Sequence, residues 1–200
     1  MPRKARIDRG GLCYHVLNRG NERQAVYRTE AEYASFVQLL QRAKARLPMR
    51  VLAFCLMPNH FHLCLWPYHD GDLGRFMQWL TTAHVAQFRK ANPGVGHVWQ
   101  GRFKAFPVQL GVHLFRVLRY IERNPVRAKL AQGAREWPWS SASQVPKLEI
   151  AEWPVPKPKD WIDSLSIEQP VEELEALQQC VLGSSPFGEL DWIARERLGD

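Results

Sequence analysis

The chain has 200 residues, 46% hydrophobic and 24% charged, with a net charge of +7. That content supports one compact core with an appendage. No apolar run approaches the roughly 18 residues needed to span a bilayer, so a membrane partner is not expected. Residues 1–6 are basic but lead into no apolar stretch, unlike a secretory leader. The four cysteines, Cys13, Cys55, Cys64 and Cys180, form no C-x-x-C pair. Reduced core thiols at Cys55 and Cys64 and a cytoplasmic location are expected. Residues 1–147 carry 23 lysines and arginines against 8 acidic residues, whereas residues 148–200 carry 4 against 12. A body this basic calls for a polyanion, because phosphate neutralisation releases counterions and drives non-specific nucleic-acid binding.

Residues 14–19 alternate as a first strand, ended by Gly20-Asn21. Thr29 is the expected N-cap of a helix with Glu30 and Glu32 in its first turn. Tyr33, Phe36, Val37, Leu40 and Ala43 follow at helical spacing. Pro48 stops it. Residues 50–57 read as a buried second strand, and Pro58-Asn59 turns the chain into a third over 60–66, forming a hairpin. Asp72 is expected to cap a second long helix reaching Asn92-Pro93-Gly94, and residues 103–109 make a fourth strand. The class is α+β, with the β-α-β-β-α-β order of a ferredoxin-like split sheet.

A third helix is predicted over 112–124, limited by Pro125. At ~100° per residue, Leu110, Leu114, Val117, Leu118 and Ile121 face the sheet. Arg116, Arg123 and Arg127 cluster on a second face. Tyr120 and Asn124 lie one turn apart on the border, anchored yet reachable. Residues 137–141 form an aromatic turn folded back on the domain. Pro146, Pro154, Pro156, Pro158 and Pro170 then interrupt a linker. An acidic helix over 171–182 and another over 190–198 complete the chain.

On the third strand, His60 and His62 share a face while Phe61 turns into the core. Two imidazoles on one rigid face make half of a divalent-metal site, although an isolated His-x-His is more often two surface histidines. Cutting a phosphodiester without a water nucleophile needs an oxygen nucleophile, a cation and a rigid frame. Tyr120 offers the phenolic oxygen. Mg²⁺ or Mn²⁺ on His60 and His62 would be the Lewis acid, and Asn124, facing the same way as Tyr120, can offer a carbonyl ligand. Trp99, Arg102, Phe103 and Lys104 interleave aromatics and cations as single-strand contacts do, and a core strand with solvated edges would look the same. His15, His69, His84, His97 and His113 have no interpretable spacing and are read as structural.

His60-Phe61-His62 followed by a helix-borne Tyr120 and Asn124 resembles the single-tyrosine HUH endonucleases, and within them the REP-associated tyrosine transposases. The similarity covers residues 7–145, including Gly20-Asn21, Trp99-Gln100-Gly101-Arg102-Phe103 and Asn124-Pro125-Val126-Arg127-Ala128. It implies a nicking domain over 1–147 that cleaves single-stranded DNA at hairpin-forming, REP-like palindromes. Tyr120 would form a 5′-phosphotyrosine link, with His60, His62 and Asn124 holding Mg²⁺ or Mn²⁺. DNA contacts are expected from Lys4, Arg6, Arg19, Trp99, Arg102, Lys104, Arg116, Arg123 and Arg127, in a monomer or, alternatively, a dimer. Residues 148–200, the proline-interrupted acidic extension, are drawn by charge toward the basic face; they would either screen it from weakly bound DNA or form a solubilising, independently packed appendage. Two other functions use the same fold: a non-catalytic nucleic-acid-binding protein and a domesticated repressor. A barrel hydrolase that begins with His-x-His would need further ligands and about 250 residues.

Overall fold

The computed structural model of the chain describes residues 7–94, 96–144, 148–183 and 185–198. Lys4, Arg6 and Pro146 lie outside them. Strand β1 (Cys13–Arg19), helix α1 (Glu30–Arg46), strands β2 (Met49–Met57) and β3 (His60–Pro67), helix α2 (Asp72–Ala91) and strand β4 (Lys104–Val108) follow in that order. The strands form one sheet ordered β2-β3-β1-β4, with every pairing antiparallel. The expected α+β class holds. Helix α3 (Val112–Glu122) and the one-turn α4 (Asn124–Arg127) come next. Helices α5 (Trp161–Ser164), α6 (Val171–Gly183) and α7 (Leu190–Leu198) belong to the C-terminal extension. Among the described residues no helix is long and apolar enough to cross a membrane.

Local chemistry starts the two long helices differently. At α1, the Thr29 hydroxyl accepts from the Glu32 amide at 3.3 Å and the Glu32 carboxylate accepts from the Thr29 amide at 3.1 Å, a reciprocal capping box. Asp72, expected to cap α2, is instead its first residue, and Gly71 holds the cap position at φ 78°. The cap is supplied from afar. The Asp8 carboxylate accepts from the amides of Leu73 at 3.2 Å and Gly74 at 2.8 Å, satisfying donors that a helix start leaves unpaired. Gly74 permits this approach, since a Cβ there would stand 2.7 Å from Asp8 Oδ2.

The sheet is covered on both faces. Tyr14, Val16, Phe61, Leu63 and Leu65 pack beneath α1 and α2. Cys13, Cys55, Cys64, Phe106 and Val108 pack beneath α3 through Leu114, Val117, Leu118 and Ile121. Leu110 is not on that face: it is 44% exposed, ahead of a turn at Gly111. None of the four cysteines forms a disulfide.

The extension packs on the α3 side and closes both sheet edges. Beside β2, the Ala151 amide donates to the Val51 carbonyl at 2.9 Å, next to the 137–141 turn, where Leu56 donates to Trp139 at 2.8 Å. Beside β4, Phe187 donates to Pro107 and accepts from Gln109, each at 2.9 Å. Edge strands so covered cannot recruit other chains. Glu122, buried at the end of α3, ties the extension down. Its carboxylate accepts from the Trp161 indole at 2.9 Å and from the Ser141 hydroxyl at 2.6 Å. Burial raises its pKa against the pull of these two bonds.

Two outcomes follow from this packing. Trp161 is 4% exposed and stands edge-on to Trp153 at 4.8 Å. Trp161→Ala should destabilise the protein by about 3–5 kcal/mol in a urea titration, since it opens a cavity and strips Glu122 of a donor. His84, on the buried face of α2, has its pKa drawn by burial from 6.5 to about 4. The unfolded chain therefore binds more protons below pH 6.5, and stability should fall as pH drops toward 4. Urea midpoints measured across that window should fall less for His84→Leu, which removes up to about 3 kcal/mol of the pH-dependent loss.

Candidate functional site

Strand β3 carries the histidine pair between its two neighbours. His62 lies opposite Leu17 of β1 and Cys55 of β2, and His60 lies opposite Arg19 and Met57. Alternation buries Phe61 and Leu63 beneath α1 and α2, leaving both imidazoles on the α3 side. Their ring centroids are 5.0 Å apart at 88°. Each ring is held through Nδ1. His60 Nδ1 donates to Asn59 Oδ1 at 2.6 Å, while Asn59 Nδ2 donates to the Arg23 carbonyl at 3.1 Å. That second bond orients the amide, which in turn assigns the His60 proton to Nδ1. His62 Nδ1 shares a 2.8 Å hydrogen bond with His15 Nε2. Both ligand candidates thus keep Nε2 for another partner. Burial, then the charge of Arg19, draws the His60 pKa down to about 4. His62 falls well below its ordinary value through burial, the neighbouring His15 and His60, and the charges of Arg127 and Arg19. Neutral imidazole is the form that ligates a cation.

The expected single helix over 112–124 is two. Pro125 has no N–H to continue α3, which ends at Glu122. The chain resumes as α4 with Asn124 first and Pro125 second. Tyr120 and Asn124 still stand one turn apart, and Asn124 Nδ2 donates to the Tyr120 carbonyl at 3.4 Å. The Tyr120 ring meets His62 edge-on at 5.7 Å and His15 at 5.8 Å. The Arg127 guanidinium folds back to 4.1 Å from the Tyr120 ring centroid and donates to the Tyr120 carbonyl at 2.6 Å. Tyr120 and Asn124 are each only 8% exposed. The helix border is more enclosed than its amphipathic spacing implied, because the extension lies along it: Gln169, itself buried, donates to the Arg116 carbonyl at 3.3 Å.

The residues expected to touch DNA divide sharply. Arg19 and Arg102 are exposed. Trp99 is no surface platform, being buried edge-on to Phe61 at 5.3 Å and tilted against His84 at 5.1 Å. The four others among the described residues are engaged by the extension. Arg116 pairs with Glu173 at 3.0 Å, and Lys104 donates to the carbonyls of Val181 at 3.2 Å and Leu182 at 3.3 Å. Arg123 is buried and donates to the Leu165 carbonyl, and Arg127 reaches Gln169 Oε1 at 3.4 Å. The extension does reach the basic face, but mainly through main-chain carbonyls rather than through its carboxylates.

Two members of the site escaped sequence reasoning. Asn59 adjoins His60 in the motif and could have been found by asking what fixes the ring. His15 could not, since only the β1–β3 register brings it diagonally against His62. Among the described residues no three His, Cys, Asp or Glu side chains could together hold a metal, so a closed structural zinc site is not built there. His60 and His62 through Nε2, with the Asn124 amide oxygen, could form an incomplete nitrogen–oxygen set. Such a set suits an exchangeable divalent cation whose remaining positions are filled by external oxygens.

The model of the Transposase IS200 like family matches residues 9–124, more than half of the chain. A Haemophilus influenzae protein assigned as a REP-associated tyrosine transposase is 28% identical over 124 residues, which cover 57% of this chain and 67% of that protein. A solved REP-associated tyrosine transposase bound to a REP hairpin is similar in fold, with a TM-score of 0.56 at 22% identity over 70% of this chain and 82% of its own. The family match opens ahead of β1 and closes on Asn124, and so contains the histidine strand and the tyrosine helix alike. The chain belongs to the IS200-like transposase family, and with it to the DNA-processing enzymes.

Proposed function

We propose that this protein cleaves and rejoins single-stranded DNA beside hairpin-forming, REP-like palindromes, through a covalent link to Tyr120. The observation that carries the proposal is the meeting of Tyr120 with His62 at 5.7 Å, beside two imidazoles whose Nε2 atoms are kept free by their own Nδ1 bonds. The hairpin substrate is supported by the solved relative, which holds a REP hairpin. Tyr120 and His62 meet within one chain, so a monomer suffices.

The Tyr120 oxygen attacks the scissile phosphorus, the bond to the 3′ oxygen breaks, the phenolic proton leaves and the 3′ oxygen gains one. One phosphodiester is exchanged for another, so a 3′-OH attacking the phosphotyrosine reverses the step and rejoins strands. A free phenol has a pKa near 10 and is a weak nucleophile, so its surroundings must help it lose that proton. Arg127 contributes positive charge over the ring. His60, His62 and Asn124 would hold Mg²⁺ or Mn²⁺, which when bound supplies Lewis-acid neutralisation of charge on the phosphate. Arg19, exposed and opposite His60 in the β1–β3 pairing, is set to meet an incoming phosphate. Arg102 adds a second exposed cation. The division into a nicking domain over 1–147 and an extension over 148–200 assigns the chemistry to the first. The extension then competes with DNA for Lys104, Arg116, Arg123 and Arg127.

One observation favours a second reading, binding without cleavage: Tyr120 is only 8% exposed. Labelled hairpin DNA with a single-stranded flank, incubated with Mg²⁺ or Mn²⁺ and run on a denaturing gel, separates the two. A covalent adduct is expected for the wild type. Tyr120→Phe removes only the nucleophilic oxygen, so hairpin binding should persist while adduct and cleavage vanish. Cleavage by that variant at the wild-type rate rules out Tyr120 as the nucleophile. Chelator should abolish cutting and either cation restore it, and His60→Ala or His62→Ala should slow it at least about 100-fold. Asn124→Ala should weaken metal binding more mildly, because water replaces one neutral ligand.

A further inference from the structure

We infer that His15 is a positioning residue, holding His62 in the ring orientation and tautomer that turn Nε2 toward a cation. The inference rests on the metal reading of His60 and His62. His15 is fully buried on β1, where packing alone would be served by an apolar side chain. Its ring is wedged edge-on against Phe106 at 5.0 Å and Tyr120 at 5.8 Å. Its Nδ1 has no hydrogen-bond partner and is shut away from solvent. An imidazole with one nitrogen stranded in the core is a poor filler, and its one polar contact is the 2.8 Å bond from Nε2 to His62 Nδ1. That contact matches the role of Asn59 toward His60, so each ligand candidate is clamped at the nitrogen away from the cation.

The direction of the proton follows from ligation. A cation on His62 Nε2 needs a lone pair there, which leaves the His62 proton on Nδ1, donated to His15 Nε2. His15 must then carry its own proton on the stranded Nδ1. Because the same ring leans on Tyr120, a change at position 15 acts on the ligand strand and the nucleophile helix together.

The test measures Mn²⁺ affinity on the DNA-free full-length protein by titration calorimetry, with circular dichroism reporting the fold. His15→Phe keeps a ring of similar size but loses the bond, and should weaken Mn²⁺ binding by about 10–100-fold. His15→Gln can still accept from His62 Nδ1 and should recover most of the loss, a rescue that mere space-filling would not predict. Nitrogen-detected imidazole spectra of the wild type saturated with Mg²⁺ need no variant. They should show both His15 and His62 protonated on Nδ1. If His62→Ala lowers Mn²⁺ affinity but His15→Phe does not, His15 is a filler and the inference fails alone. A His62 ring protonated on Nε2 in Mg²⁺ also overturns it. Wild-type Mn²⁺ binding that survives His62→Ala overturns the metal reading first, and this inference with it.

Discussion

A strand enclosed by two others, in a sheet covered on both faces, must send alternate side chains into two different cores. β3 is that strand, and its two sides are chemically unlike: Phe61, Leu63 and Leu65 pack into an apolar layer, while His60, His62 and Cys64 face α3. Placing imidazoles on a buried face is unfavourable unless they stay neutral and hydrogen-bonded. The site answers both conditions at once. Burial and nearby cations keep the rings neutral, and Asn59 and His15 take their Nδ1 atoms. What is left unpaired is the nitrogen that chemistry would use.

Helix α3 must do two things on that face. Leu114, Val117, Leu118 and Ile121 seal the core, and the next residue around the helix is Tyr120, close against His62 and His15. Pro125 breaks the helix one turn later and lets α4 swing Arg127 back over the tyrosine ring. A continuous helix would hold the Arg127 backbone two turns beyond Tyr120, about 10 Å along the axis. The break therefore places a cation where it bears on Tyr120, His15 and His62 together.

The charge imbalance between the two parts of the chain finds a structural expression. The extension lies on α3 and satisfies arginine donors with carbonyls of residues 165–168, with carboxylate pairs at Glu173 to Arg116 and at Glu196 to Arg9. Carbonyls suit this contact because they accept hydrogen bonds without requiring a second charge to be desolvated beside Tyr120. The same segment covers the edges of β2 and β4 and donates the Trp161 indole to Glu122. Its aromatic anchors belong to the α3 core as much as the helix residues do.

The elements, and much of the site, could be read directly from the residues. Alternation and apolar runs marked the strands, helical spacing marked the long helices, the Thr29 N-cap marked the start of α1, and His-x-His with a later Tyr120 and Asn124 marked the candidate site. These signals are local, so a one-dimensional pattern carries them. What escaped depends on contacts between distant segments. Asp8 caps α2 across 65 residues of chain, and the β1–β3 register makes His15 a partner of His62. Trp99 turns inward rather than out, because Phe61 and His84 offer it a core. Arg116, Arg123 and Arg127, predicted to be free for DNA by their position on a helical wheel, meet an extension whose path no spacing rule encodes. Periodicity says which residues share a face. Only the folded chain decides what that face meets.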